Sequence, residues 1–289
     1  MSYIYRVISG CDEEVWWFWS DGAIERTSKN GSVLSRMKSS VYQPSSRAAV
    51  FLSGNAIVIG SWDMNKIQCW KVDGGDLTLK WENELKQPQY FHASRYTNAI
   101  YCAGEDGTCI KVTEEGKMRK IVSKGWLVSE INNDDICLSF RRNLLHSSHL
   151  SQKPEKFLAR EEKNISGLAC FEQGAFYFSI GGLVRFWDRD LLKIYNYDQE
   201  LGMHPSEISY NNKDHVVSIV YRDEENNSLV KAIGNDKHVV YRKAFSSKLG
   251  YPMVFQDSRL IAFTRIPERC QLEEMKYEMK CPVVVPEHN

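Results

Sequence analysis

The chain has 289 residues, of which 43% are hydrophobic, 26% charged and 12% aromatic, a composition that excludes long disorder and collagen-like structure. Lysine and arginine together number 37, as do aspartate and glutamate. Zero net charge removes the electrostatic case for a general nucleic-acid binder.

The opening stretch, MSYIYRVISGCDEEVWWFW, lacks a charged leader followed by an apolar core and a small-residue cleavage site. No run approaches the length of a membrane span. These features predict a cytoplasmic protein.

Helical periodicity is almost absent, and short runs rich in Val, Ile, Phe, Tyr and Trp recur between Asp, Asn, Gly and Ser. One run type returns along the chain as VWWFW from Val15, IVIGS from Ile57, IYCAG from Ile100, ICLSF from Ile136, FYFSI from Phe176, VVSIV from Val216 and LIAFT from Leu260. The intervals are 42, 43, 36, 40, 40 and 44 residues, and the chain ends wrap round at 44. These runs are apolar on both faces, as an inner strand packed between neighbouring blades must be. After them come turns (SDGA at Ser20, SWDMN at Ser61, EDGT at Glu105, IGGL at Ile180, DEENN at Asp223) and third strands such as AIERT, KIQCWKV, TCIKV, LVRFW, SLVKAI and QLEEM. Asp-Gly between apolar runs is a strong hairpin signal.

Seven copies of about 40 residues predict an all-β fold: a seven-bladed β-propeller with four antiparallel strands per blade and almost no helix, filling residues 1–289 as one domain. The terminal segments can each hold four strands, so the ring closes either blade against blade or by strand exchange between the terminal blades. The polar stretch from His146 to Lys156 falls in the shortest repeat and predicts a distorted blade with a short or displaced outer strand. The eight cysteines show no CxxC and no zinc-ligand ladder, and most sit in strand-like runs. They are expected to be reduced and buried.

GEDGTCIKV (Gly104–Val112) and GGLVRFWD (Gly181–Asp188) resemble the turn and third strand of WD-repeat propellers. The resemblance places Asp106, Asp21 and Asp63 on that family's structural aspartate and Trp187-Asp188 on its namesake dipeptide. Trp70 matches the tryptophan, with Lys71 in place of the aspartate. The family's Gly-His dipeptide is missing from every copy, so the tetrad built on that histidine is not carried over. By period the resemblance spans the chain; specific residues support about three of the seven copies. It implies a binding surface and no particular activity.

Candidate chemistry is sparse. His146 and His149 form HxxH without a third ligand nearby, and the lone histidines His92, His204, His215 and His238 read as locally hydrogen-bonded. Acidic pairs lie mostly in turns, and adjacent carboxylates on a strand point to opposite faces. No phosphate-binding loop or nucleophile motif occurs. No metal or cofactor and no catalytic residue is expected.

The leading expectation is a non-enzymatic propeller that docks a partner protein on one face. It would serve as a scaffold or an inhibitor, for example an immunity protein neutralising a cognate toxin. The alternative is a propeller hydrolase or lyase acting on a saccharide or small molecule with carboxylates near the central channel. The turns after the apolar runs should emerge on one face, carrying Trp62, Asp63, Glu105, Asp106, Arg141, Arg142, Asp223, Glu224 and Glu225. Trp62 is the expected anchor, and the acidic majority predicts a partner with a basic contact surface, with no membrane and no nucleic acid.

Overall fold

A computed structural model describes residues 4–9, 14–19, 21–28, 32–38, 46–148, 156–198, 200–211, 216–234, 236–246, 248–254 and 260–265. They are built almost wholly of antiparallel strands and divide into two compact units, one ending at Ile165 and one beginning at Ser166. Among the described residues no helix is long and apolar enough to cross a membrane.

The first unit holds four sheets, each a four-stranded meander in chain order. They are β1 (Ile4–Ser9), β2 (Val15–Trp19), β3 (Ala23–Thr27) and β4 (Val33–Lys38); β5 (Ser46–Val50), β6 (Ala56–Ser61), β7 (Lys66–Asp73) and β8 (Asp76–Glu84); β9 (Pro88–Ala93), β10 (Ala99–Gly104), β11 (Thr108–Thr113) and β12 (Met118–Lys124); β13 (Leu127–Glu130), β14 (Asp135–Phe140), β15 (Asn143–Ser148) and β16 (Lys156–Arg160). A 3-10 turn, Trp62–Met64, joins β6 to β7.

The second unit holds two such sheets: β17 (Ile165–Phe171), β18 (Gly174–Ser179), β19 (Val184–Asp188) and β20 (Lys193–Asp198); β21 (His204–Asn211), β22 (Val216–Arg222), β23 (Ser228–Ile233) and β24 (Val239–Phe245). A two-stranded sheet of β25 (Lys248–Val254) and β26 (Leu260–Arg265) follows.

This is the β-propeller class, with four antiparallel strands per blade. All seven apolar runs are strands, and each is the second strand of its sheet. The blade count differs from the expected seven: among the described residues six sheets are complete, and the copy at Leu260 has two strands. The third and fourth strands expected there, QLEEM from Gln271 and CPVVV from Cys281, lie outside the described residues. The short-period copy forms a full four-stranded sheet whose outer strand, β16, has five residues.

The second strands are apolar throughout because successive side chains enter two different cores. On β6, Ile57 and Ile59 pack with Trp16, Phe18 and Ile24 of the preceding sheet. Between them Val58 points the other way, into a core with Phe91, Ile100, Cys102 and Ile110 of the following sheet. On β10, Ile100 and Cys102 face back while Tyr101 faces forward to Val128, Ile136 and Leu138. Burying one such side chain contributes about 1.5–3 kcal/mol. In the second unit Phe171, Phe176 and Phe186 make the same kind of core with Val217, Ile219 and Tyr221.

Polar groups also join neighbouring sheets. The Glu114 carboxylate accepts hydrogen bonds from Lys80 Nζ at 2.9 Å, Asn98 Nδ2 at 2.6 Å and Ser53 Oγ at 2.8 Å. Its backbone carbonyl accepts one from Trp81 Nε1 at 2.8 Å. The fully buried Glu130 carboxylate accepts from Ser94 Oγ and the Arg95 amide, both at 2.7 Å.

Burial disfavours the Glu114 charge, but the Lys80, Asn98 and Ser53 donors outweigh it and hold the carboxyl below its ordinary value. A carboxyl depressed by folding stabilises the native state above its ordinary value of 4.5 and loses that contribution as pH falls through the lowered one. Glu114→Gln is therefore expected to cost about 1–2 kcal/mol at neutral pH in urea denaturation. The gap to wild type should close on acidification below the ordinary carboxyl value.

Cys69, Cys102, Cys109, Cys137 and Cys170 are buried and form no disulfide; Cys11, Cys270 and Cys281 lie outside the described residues. Burial pushes the Cys69 thiol up to about 12 against the weaker opposing pull of Lys80, and the Cys109 thiol likewise to about 12. Iodoacetamide at mildly alkaline pH should leave both unmodified in the native protein, because the thiolate is the nucleophile. After denaturation without reductant both should be alkylated, as peptide mass spectrometry will show.

Candidate partner-docking face

The turns between second and third strands need one residue in the left-handed region. Gly22 (φ 82°), Asn65 (φ 50°), Gly107 (φ 82°) and Asn226 (φ 65°) supply it. In the Asp-Gly turns the aspartate holds the chain beyond: Asp21 Oδ1 accepts from the Ala23 amide at 3.0 Å, and Asp106 Oδ1 from the Thr108 amide at 2.8 Å. These are two of the positions that the WD-repeat resemblance assigns to a structural aspartate. At the third, Asp63 lies in the 3-10 turn. Trp187-Asp188 closes β19, where Asp188 Oδ1 accepts from the Asp190 and Leu191 amides and Oδ2 pairs with Lys237 Nζ at 3.0 Å.

In the first unit these turns are sewn to the connectors between sheets. The Asn65 carbonyl accepts from the Leu85 amide at 3.1 Å, and Asn65 Oδ1 from the Gln87 amide at 3.0 Å. The Gln87 carbonyl in turn accepts from the Glu105 amide at 3.1 Å. Trp126 Nε1 donates to the Glu105 carbonyl at 2.9 Å, and the Gly125 amide to the Gly107 carbonyl at 2.9 Å. The Arg141 and Arg142 carbonyls accept from the Ile165 and Glu161 amides, both at 2.8 Å. Turn and connector thus alternate along one face, from Asn65 to Ile165.

This face brings together Asp63, Glu105, Asp106, Arg141 and Arg142, all exposed. The Trp62 backbone lies in the 3-10 turn, and its expected anchor role falls outside the described side chains. Asp223, Glu224 and Glu225 occupy the equivalent turn in the second unit, between β22 and β23. There the Asp223 carboxylate is engaged within its own turn, Oδ1 by the Asn227 amide and Oδ2 by Asn227 Nδ2, both at 2.8 Å. These bonds from Asn227 hold its carboxyl below the ordinary range. Glu224 and Glu225 are exposed.

Sequence reasoning missed the connectors. With the end of β12 they add the exposed Lys86, Lys124, Glu162 and Lys163 and the half-buried Trp126 to the same face, which becomes mixed in charge rather than mainly acidic. The Asp106 carboxyl is held below its ordinary value first by the Thr108 amide, with further help from Lys86 and Lys124. Lys86, Lys124 and Lys163 lie at or within three residues of the ends of β8, β12 and β16, a signal that is legible only once connectors and turns are known to share a face.

The histidines offer no comparable constellation. His146 Nε2 lies 3.4 Å from Asp135 Oδ1, and His149 is outside the described residues. Burial, with the Arg95 charge beside it, pushes His92 down to about 3, so it is neutral at physiological pH. Among the described residues no group of three metal-binding side chains gathers.

In comparisons with known proteins, no family model matches this chain and no curated protein matches it. The WD-repeat resemblance therefore rests on the motif residues and the blade architecture.

Asp106 can be tested for its two separable roles. Asp106→Ala should cost about 1 kcal/mol in chemical denaturation through loss of the bond to the Thr108 amide. Asp106→Asn keeps that acceptor and should leave stability within about 0.5 kcal/mol of wild type.

Proposed function

We propose that this protein is a non-enzymatic binding module, a seven-bladed propeller that docks a partner protein on the face built from its second-to-third-strand turns and connectors. The observation that carries the reading is the sewn face itself. Exposed charges of both signs stand on backbone held by a continuous series of hydrogen bonds. Such a preorganised surface loses little entropy on binding, and mixed charge gives specificity and association rate. On this reading Glu105 and Asp106 of the first unit meet basic groups of the partner.

A scaffold subunit and a dedicated inhibitor, such as an immunity protein set against a toxin, both need only such a surface. The five buried thiols of the described residues, none of them in a disulfide, fit a reducing compartment and so a cytoplasmic site of action.

The test is affinity capture from the native host, identification of the partner by mass spectrometry, and titration of that partner against wild type and a Glu105→Gln/Asp106→Asn double variant. Because Asn retains the turn bond, folding should be intact. Affinity should fall at least tenfold, with slower association and a weaker salt dependence. Unchanged affinity and salt dependence would place the interface elsewhere on the molecule.

A further inference from the structure

Phe140 ends β14 at the middle of this face and is clamped on several sides. Trp126 meets its ring edge-on, with centroids 5.2 Å apart at 66°. The Trp126 indole is itself held by its bond to the Glu105 carbonyl. Gly107 abuts the ring so closely that a Cβ there would lie 2.6 Å from Phe140 Cε2. Two cations lean on this one ring: Lys124 Nζ lies 5.7 Å and the Arg141 guanidinium carbon 5.5 Å from its centroid.

Both cations are exposed, and neither has a carboxylate at ion-pair distance among the described residues. Asp106 feels the Lys124 charge, yet its Oδ1 is committed to the Thr108 amide. Arg141 also sits at a left-handed φ of 55°, a position where glycine would be unstrained. Two cations drawn to one aromatic ring, neither of them paired with a carboxylate among the described residues, form half of a charge-assisted site.

We propose that Lys124 and Arg141, on the Phe140–Trp126 platform, form a subsite for a carboxylate side chain from an acidic loop of the partner protein. This rests on the reading that this face docks a partner, and it gives that partner acidic as well as basic contacts. The Asp or Glu carboxylate would bridge the ammonium and guanidinium groups while its stem lies on the aromatic platform. A nucleic acid fits less well: a phosphate backbone extending from this subsite would run against the exposed Glu105 and Asp106 carboxylates.

The probe is a capped peptide, acetyl-Gly-Asp-Leu-Asp-Gly-amide, titrated into the full chain labelled for NMR, with its Asn-for-Asp counterpart and a ten-nucleotide oligo-dT as controls. The reporters are the Trp126 indole N–H and the Arg141 Nε–H. Saturable shifts of both are expected with the acidic peptide alone. Binding should weaken at least tenfold in a Lys124→Gln/Arg141→Gln variant and tighten two- to threefold in Asp106→Asn, which removes a competing negative charge. The remaining resonances will show that these surface variants stay folded. The proposal is overturned by absence of a saturable shift, by equal shifts with the Asn peptide, by indifference to the double variant, or by preference for the oligonucleotide. A peptide that fails while the captured partner still responds to Glu105→Gln/Asp106→Asn would count against this subsite alone. A peptide that binds while the partner ignores that variant would count against the docking reading.

Discussion

Burial of both faces of each second strand is the constraint on which the rest of this structure depends. Ile57, Val58 and Ile59 are consecutive on β6, and alternate side chains of a strand point to opposite faces. All three are removed from water only because one sheet lies before β6 and another after it. A four-stranded meander carrying such a strand is not stable alone; it needs flanking sheets. The outer strands are under no such demand, and they carry exposed residues such as Val33, Leu79, Met118 and Phe157 beside charged ones.

Stacking sheets in this way dictates where polar backbone goes. In the first unit the connectors after β8, β12 and β16 pass beside the second-to-third-strand turn of their own sheet, and the one after β8 also reaches the turn of the next sheet, so that their amides and carbonyls find partners there. Hence the bonds of Asn65 with Leu85 and Gln87, of Gln87 with Glu105, and of Gly107 with Gly125. The demands of the half-buried Glu114 and the buried Glu130 carboxylates are met in the same way, by donors from the adjoining sheet. At Glu130, removing one partner leaves an uncompensated buried charge, so that position is less tolerant than its polarity suggests.

A face assembled from turns and connectors has its backbone fixed by hydrogen bonds and its charged side chains exposed. On the proposed reading that division suits recognition, because charges such as Glu105 and Arg141 are exposed to a partner while the backbone beneath them is held. Asp106 and Asp223 differ, since their carboxylates also close their own turns. Fold class alone names no activity; the argument for binding comes from the site.

The repeat, the four-strand blade and the identity of the second strands were legible in the sequence. Each depends on local signals: apolar runs at a fixed interval and residues such as Gly107 and Asn226 that accept a left-handed turn. Arg141 gave no such signal, because its left-handed φ is imposed by the hairpin from Phe140 to Asn143 and not by its own preference. Likewise Lys86, Lys124 and Trp126 read as connector residues of no evident role. Their grouping with Glu105, Asp106 and Phe140 is a long-range fact, set when sheets stack and connectors settle on neighbouring turns. Periodicity along a chain records what each strand must bury; which exposed groups meet across blades is decided by the packing that follows.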